Sequence, residues 1–152
     1  MNAITMLTED HREVERMLDE LEPTTERAVK TRHELFSRLK EALTVHEVIE
    51  EEIFYPALRE HPKAKDIVLE AYEEHDVVDS IMGQLEGLSV EDETWGAKAK
   101  VMIENLRHHI EEEEKEMFPT ARRVFEASEL QELGERMAAR RKTAERELAT
   151  AG

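Results

Sequence analysis

The same arrangement of histidines and glutamates occurs in both halves of the sequence. In each half a single histidine follows two acidic residues, and further along an H-x-x-x-E pair is followed by a proline six residues after its glutamate. The matching positions are His11 and His75, His46 and His109, Glu50 and Glu113, and Pro56 and Pro119. Such a repeat indicates two copies of one structural unit that face each other. Any fold of this chain must therefore bring two similar halves together.

Apolar residues recur at helical spacing along almost the whole chain, and few segments alternate with the period of a strand. Prolines and glycines interrupt this spacing, notably at Pro23, Pro62 and Gly87. The spacing predicts four long helices, over about residues 2–22, 25–59, 63–85 and 89–125, and a fifth over about residues 128–148. The sequence is therefore typical of a helical protein.

Each copy of the repeat falls on two of these helices and so forms a helical hairpin. Two hairpins predict an all-α fold, an antiparallel up-down four-helix bundle over residues 1–125. Residues 126–152 are predicted to form an additional C-terminal helix that packs on the bundle or on a partner. Within this fold Pro56 predicts a kink late in the second helix, and Ser128 with Gln131 predicts a capping box at the start of the fifth.

The histidines and glutamates of the repeat lie on the apolar sides of their helices. Residues four apart on a helix point in nearly the same direction, so His46 and Glu50 project side by side. Leu43 and Ile53 lie on the same face as this pair. The pair therefore points into the bundle, and its counterpart in the second half does the same. Ionised carboxylates without partners are strongly destabilising in an apolar interior, and bound cations would compensate them.

The residue types on these faces restrict which cations fit. The chain has no cysteine, so any metal must bind nitrogen and oxygen. Four imidazoles with two carboxylates suit iron, manganese or zinc better than calcium or magnesium. Iron is the preferred interpretation, because two bridging carboxylates would leave open positions on two six-coordinate irons. The E-x-x-H pairs of ferritin-type di-iron bundles and the H-E-x-x-H of zinc proteases do not occur in the sequence.

These residues resemble the haemerythrin-like (HHE cation-binding) domain family, whose pattern the chain matches at His11, His46, Glu50, His75, His109 and Glu113. The resemblance covers about residues 1–125 and implies a four-helix bundle with two iron ions in a non-haem, oxo- or hydroxo-bridged centre. Oxygen-carrying haemerythrins have a fifth histidine, in an H-x-x-x-H pair on the third helix. In this chain the positions four residues before and after His75 are Ala71 and Asp79. The last carboxylate of the oxygen carriers is also one residue later, where Glu114 stands here. The resemblance is thus to the bacterial H-HxxxE-H-HxxxE subgroup.

A few other polar residues lie close to the pattern. His108 adjoins His109, and the repeat alignment favours His109 as the ligand. Glu47 or Glu51 could supply an extra ligand. Tyr55 is a candidate for a phenol near the metal, with packing in the core as its alternative role. The remaining histidines are predicted to lie at the surface or in loops: His33 and His61.

Charge and hydropathy limit the partners. The net charge of −16 disfavours nucleic acids and anionic membrane surfaces, which repel an acidic protein. No segment approaches the length of a transmembrane span, and the N-terminus becomes charged before a signal-peptide core could form. We therefore expect a cytoplasmic protein, either a monomer or a homodimer.

Open positions on the metal favour a non-haem di-iron protein that binds or reacts with a small oxidant: peroxide, O2 or NO. Catalase-like or peroxidase-like turnover is one form of this function. The alternative is iron or oxygen sensing without turnover, and a third interpretation is a structural helical module with vestigial ligands. The sequence contains no partner motif that separates the first two.

Overall fold

The computed structural model describes residues 1–151, and within them the chain forms five long helices and no strand. Helix α1 is Ala3–Leu21, helix α2 runs from residue 29 to 59, helix α3 is Lys65–Glu86, helix α4 runs from residue 93 to 124, and helix α5 is Ala127–Ala151. A 3₁₀ turn, Pro62–Ala64, precedes α3. The all-α class is confirmed, with a four-helix bundle and an additional C-terminal helix. The domain division at residue 125 stays a prediction.

Local hydrogen bonds explain where the helices begin. The side chain of Asn2 accepts a bond from the backbone N–H of Thr5 and caps α1. Helix α5 begins at Ala127, so the capping box predicted at Ser128 and Gln131 is wrong. Instead the Glu129 carboxylate accepts a bond of 2.9 Å from the backbone N–H of Glu126. The helix thus starts about one residue earlier than expected.

Helix α2 begins at Val29, later than the predicted residue 25, because a buried arginine holds the preceding loop in place. The Arg32 guanidinium donates to the hydroxyl and the carbonyl of Thr24, at 3.0 and 2.9 Å, and to the carbonyl of Val90 at 2.6 Å. It also lies 4.9 Å from the ring centroid of Trp95. Arg32 therefore joins the α1–α2 loop to the segment that leads into α4.

The apolar core consists of two clusters, one towards each end of the bundle. One cluster includes Leu7, Phe54, Val68 and Phe118. The other includes Leu18, Leu39, Met82, Trp95 and Met102. Between the clusters lies a layer that holds most of the buried polar side chains of the described chain. None of the helices within residues 1–151 has the length and apolar character needed to cross a membrane.

Helices α2 and α4 each contain one π-helical turn, and both turns begin at a glutamate of the repeat. The turn in α2 is Glu50–Phe54, and the turn in α4 is Glu113–Met117. Each ends just before a proline, which lacks the N–H that a continuous α-helix would use. A π turn therefore accommodates Pro56 where the sequence predicted a kink.

The π turn changes which side chains point inward. Residues five apart on a regular α-helix would point about 140° apart. The extra residue of the π turn rotates the following segment, so that Glu50 and Tyr55 are both buried in the interior. The equivalent turn in α4 has the same effect on Glu113 and Phe118.

Helix α5 packs against α1 and α2 and crosses the start of α1 at Gly134. A Cβ at this position would lie only 2.9 Å from the Asn2 carbonyl carbon and 3.0 Å from the Ala3 nitrogen, and it would also clash with the Met1 carbonyl oxygen. These are backbone atoms, which cannot move aside as a flexible side chain can.

We therefore expect Gly134→Ala to lower the free energy of unfolding by roughly 1–3 kcal/mol, the usual cost of overpacking. The matched control is Gly83→Ala in α3, where a Cβ would meet nothing within 4 Å. That variant should be about 1 kcal/mol more stable than the parent, since alanine favours a helix over glycine. Urea unfolding followed by circular dichroism measures both. Equal stabilities of the two variants would show that α5 does not pack as described.

Candidate metal centre

Six polar residues of the repeat meet in the layer between the two apolar clusters. Each is at most 6% exposed, and they come from four helices: His11, His46, Glu50, His75, His109 and Glu113. They form two overlapping groups, in each of which one nitrogen or oxygen per residue lies within 4.8 Å of the others. The groups are His11, His46, Glu50 and Glu113, and Glu50, His75 and His109. Either group could hold a metal ion, and Glu50 belongs to both.

Each central carboxylate lies between two histidines of different helices. The Oε1 atom of Glu50 is 3.1 Å from Nε2 of His46 and 3.2 Å from Nε2 of His75. The Oε1 atom of Glu113 is 3.0 Å from Nε2 of His11 and 3.4 Å from Nε2 of His109. All four imidazoles therefore direct Nε2 towards the centre.

Glu50 is the least compensated group of the interior. Its carboxylate is fully buried, and neither oxygen has a hydrogen-bond partner among the described residues, since the contacts with His46 and His75 lack hydrogen-bond geometry. Nε2 of His46 and of His109 are buried without a hydrogen bond as well. Buried polar atoms are nearly always paired. Oxygen and nitrogen atoms left unpaired around one point therefore fit a bound cation.

The outer nitrogen of every central histidine meets a further carboxylate. The Nδ1 to oxygen distances are 2.7 Å for His11 and Glu114, 2.8 Å for His46 and Asp10, 2.7 Å for His75 and Glu51, and 2.6 Å for His109 and Glu74. Such a partner accepts the Nδ1–H and leaves the Nε2 lone pair free for a metal. Carboxylate partners of this kind are typical of metal-binding histidines.

The sequence pattern did not predict that these four carboxylates support the histidines, and it suggested only Glu51, as a possible extra ligand. They follow the repeat nevertheless, since Asp10 and Glu74 directly precede the lone histidines, and Glu51 and Glu114 directly follow the glutamates of the H-x-x-x-E pairs. An acidic residue at the same place in both copies was the available signal. Its meaning depends on which helices are neighbours, which the sequence pattern does not show.

A family model, Hemerythrin HHE cation binding domain, matches residues 2–121. The chain belongs to this family. Its fold is similar to the crystal structure of a hemerythrin HHE cation binding domain-containing protein from Mycobacterium kansasii, with a TM-score of 0.83 and 29% identity over 95% of this chain and 88% of that one. No curated protein matches the chain closely in sequence. The resemblance inferred from the histidine and glutamate pattern is confirmed.

The central carboxylates of this HHE domain favour the protonated form of the histidines beside them. Burial lowers the pKa of His46, but the charge of Glu50 and the bond to Asp10 outweigh it and raise this pKa to about 10. Burial likewise lowers the pKa of His75, but the nearby carboxylates of Glu50 and Glu51 outweigh it and raise this pKa to about 10. A metal ion on Nε2 must displace such protons. Metal binding to this HHE domain should therefore release protons and weaken as the pH falls.

Tyr55 places a hydroxyl group at the edge of the centre. Its O–H donates to Oε2 of Glu113 at 2.6 Å, and the oxygen lies 3.3 Å from Nε2 of His75. Burial, and then the charges of Glu113 and Glu50, raise the pKa of Tyr55 well above its ordinary value. The phenol therefore keeps its proton at neutral pH and can offer it inside the buried layer.

The remaining candidates lie outside the central layer of this HHE domain. The His108 side chain is 64% exposed and pairs with Glu112 at 3.0 Å, which is consistent with the preference for His109. Glu47 lies 3.5 Å from Nδ1 of His75, on the outer side of the ring, as does Glu51. Burial raises the pKa of Glu47 to about 8. The other two histidines are exposed or half-buried: His33 and His61.

Proposed function

We propose that the six central residues bind two iron ions and that the loaded centre reacts with a small oxidant, namely peroxide, O2 or NO. The observation that carries this proposal is the fully buried carboxylate of Glu50, which lies between two groups of ligand atoms and has no hydrogen-bond partner within the described chain. One ion would be held by His11, His46, Glu50 and Glu113. The other would be held by His75, His109 and the same two glutamates.

The donor set supports iron in particular. Neutral imidazoles with two carboxylates suit a metal that changes between the +2 and +3 states, and histidine–carboxylate sites with open positions are typical of non-haem iron. When bound, iron would supply the electrons that reduce the oxidant. The two ions would share six protein ligands, so positions on the metal remain for a small molecule.

The surrounding side chains would protect and assist this chemistry. The ring of Phe118 stacks on the imidazole of His11 with 5.7 Å between centroids, and Phe54 packs edge-on against Phe118. These rings keep water away from one side of the centre, which strengthens the electrostatic interactions inside it. Tyr55 holds a proton next to Glu113 that can be given to a reduced oxygen atom.

Protein purified from cells grown with iron should contain close to two irons per chain and absorb in the near ultraviolet through charge transfer to ferric iron. Elemental analysis and an absorption spectrum measure these quantities on one sample. Removing the iron should abolish the absorption, and adding ferrous iron in air should restore it. Stoichiometric zinc without iron would contradict the redox function.

Iron or oxygen sensing is the second candidate. It is favoured by the origin of the ligands, which come from all four helices of the bundle, so that metal loading would stiffen the whole domain. A sensor would bind iron with the same residues but would not turn over an oxidant. Sustained consumption of peroxide by the loaded protein would separate the first function from the second.

A further inference from the structure

The four outer carboxylates are equivalent in the repeat but not in their surroundings. Asp10 and Glu114, which contact the histidines of the first group, each also contact an arginine. Glu51 and Glu74, their counterparts in the second group, contact no arginine within residues 1–151. Glu74 instead lies close to His108 and Glu112. The pseudo-symmetry of the centre is therefore broken outside the six central residues.

The arginine that contacts Asp10 comes from the C-terminal helix. Arg141 of α5 donates two parallel hydrogen bonds to Asp10, from Nη1 to Oδ1 at 2.9 Å and from Nη2 to Oδ2 at 2.7 Å. The same Oδ2 accepts the bond from Nδ1 of His46 at 2.8 Å. The Asp10 side chain is 13% exposed and that of Arg141 is 29% exposed. A continuous chain of hydrogen bonds thus joins α5 to His46.

A paired arginine restrains a carboxylate more than a single contact does. Two parallel bonds fix both the position and the plane of the Asp10 carboxylate. That plane in turn sets the direction of the Nδ1–H bond, and hence the orientation of the His46 ring. Arg12, which contacts Glu114, is 46% exposed and lies next to His11 on the same helix, so its restraint is weaker.

Arg141 also lies beyond residues 2–121, the part that matches the family model. We propose that Arg141 is a positioning residue for His46 and that it makes the C-terminal helix part of the metal centre. This inference rests on the proposed metal site. Because coupling is reciprocal, a metal ion on His46 also strengthens the docking of α5.

The positive charge of Arg141 acts against the benefit of positioning His46, since it repels a cation bound there. This repulsion is small, because the arginine is separated from the metal position by both Asp10 and the imidazole, and because water screens a partly exposed group. Lysine keeps the charge but cannot make the two parallel bonds. Arg141→Lys and Arg141→Met therefore separate the positioning effect from the charge.

The test is an anaerobic calorimetric titration of the metal-free protein with Fe²⁺. The parent should bind two ions. In Arg141→Met the ion at His46 should bind roughly tenfold more weakly, the lower end of the loss expected when a histidine ligand loses its outer support. The other ion, which shares the glutamates but not His46, should be weakened less. Arg141→Lys should weaken the same ion. The matched control is Arg140→Met, which removes an exposed pair between α5 and Glu52 that does not reach the centre, and should change neither ion.

Two further measurements distinguish positioning from a general loss of stability. Asp10→Asn should weaken the same ion, and Asp10→Asn with Arg141→Met should bind no more weakly than Asp10→Asn alone, because both residues act through one chain of bonds. Thermal unfolding should show a smaller increase in Tm on Fe²⁺ binding for Arg141→Met than for Arg140→Met. A merely structural role would lower the Tm of the metal-free and loaded forms equally.

Unchanged or tighter binding of both ions by Arg141→Met, with two ions bound by the parent, would overturn the inference and leave the proposed function intact. A parent protein that binds no Fe²⁺ would overturn the proposed function and this inference with it. If Arg141→Met does not fold, the same outcomes apply to Arg141→Lys.

Discussion

Replacing His46 or His109 by alanine should reduce the bound metal from two ions to well below one per chain. Each of these residues directs Nε2 into the centre, and Nε2 of each is buried without a hydrogen bond. Loss of one imidazole leaves Glu50 or Glu113 with one neighbouring histidine nitrogen instead of two, and both proposed ions share these glutamates. Removing a ligand from one ion should therefore weaken the other as well. Elemental analysis after gel filtration measures the bound metal.

The controls for this prediction are alanine variants of histidines outside the layer. His33→Ala and His108→Ala should keep the full metal content, since both side chains are exposed. His108 is the more informative control, because it differs from His109 by a single position in the chain. Metal loss in His108→Ala, together with normal content in His109→Ala, would show that the repeat alignment is wrong by one residue.

Hydrogen peroxide should be consumed by the iron-loaded protein faster than by the same amount of free iron. The six proposed ligands would hold the two ions next to each other and leave positions for peroxide, and the rings of Phe54 and Phe118 beside them are buried. His75→Ala should abolish the reaction, because His75 is the proposed ligand that α3 contributes to the centre. An oxygen electrode and loss of ultraviolet absorbance of peroxide measure the rate.

Tyr55→Phe provides a second arm of this experiment. The variant keeps the ring that fills the core but loses the hydroxyl that donates to Glu113 at 2.6 Å. It should bind as much iron as the parent and consume peroxide roughly 100-fold more slowly, as expected when a positioned proton donor is lost. A parent protein that binds iron but does not consume peroxide would favour the sensing function. Reversible binding of O2 with recovery of the ferrous form would instead indicate an oxygen carrier.

The sequence was most informative about features that depend on spacing along one helix. His46 with Glu50, and His109 with Glu113, lie on one face of their helices whatever the helices pack against. The repeat then required the two halves to face each other, and the burial of all six residues agrees with this arrangement. The helix count and the family resemblance follow from the same local patterns.

The helix boundaries and the π turns were harder to predict from the sequence. The sequence predicted a kink at Pro56, but a proline can be accommodated by a kink or by an extra residue in the preceding turn. Which of the two occurs depends on the side chains that the neighbouring helices present. The inward position of Tyr55 follows from the π turn, and so it depended on the same choice.

By itself, the sequence determined the helical fold, the family and the set of six central residues, because hydrophobic spacing and residue repeats are properties of a single chain segment. Only the tertiary structure decided which carboxylate supports which histidine, and that Arg141 of the last helix reaches Asp10. These pairs are 24 to 131 residues apart in the chain. Contacts at such separations depend on the rotation and offset of packed helices, which short-range patterns in a sequence do not encode.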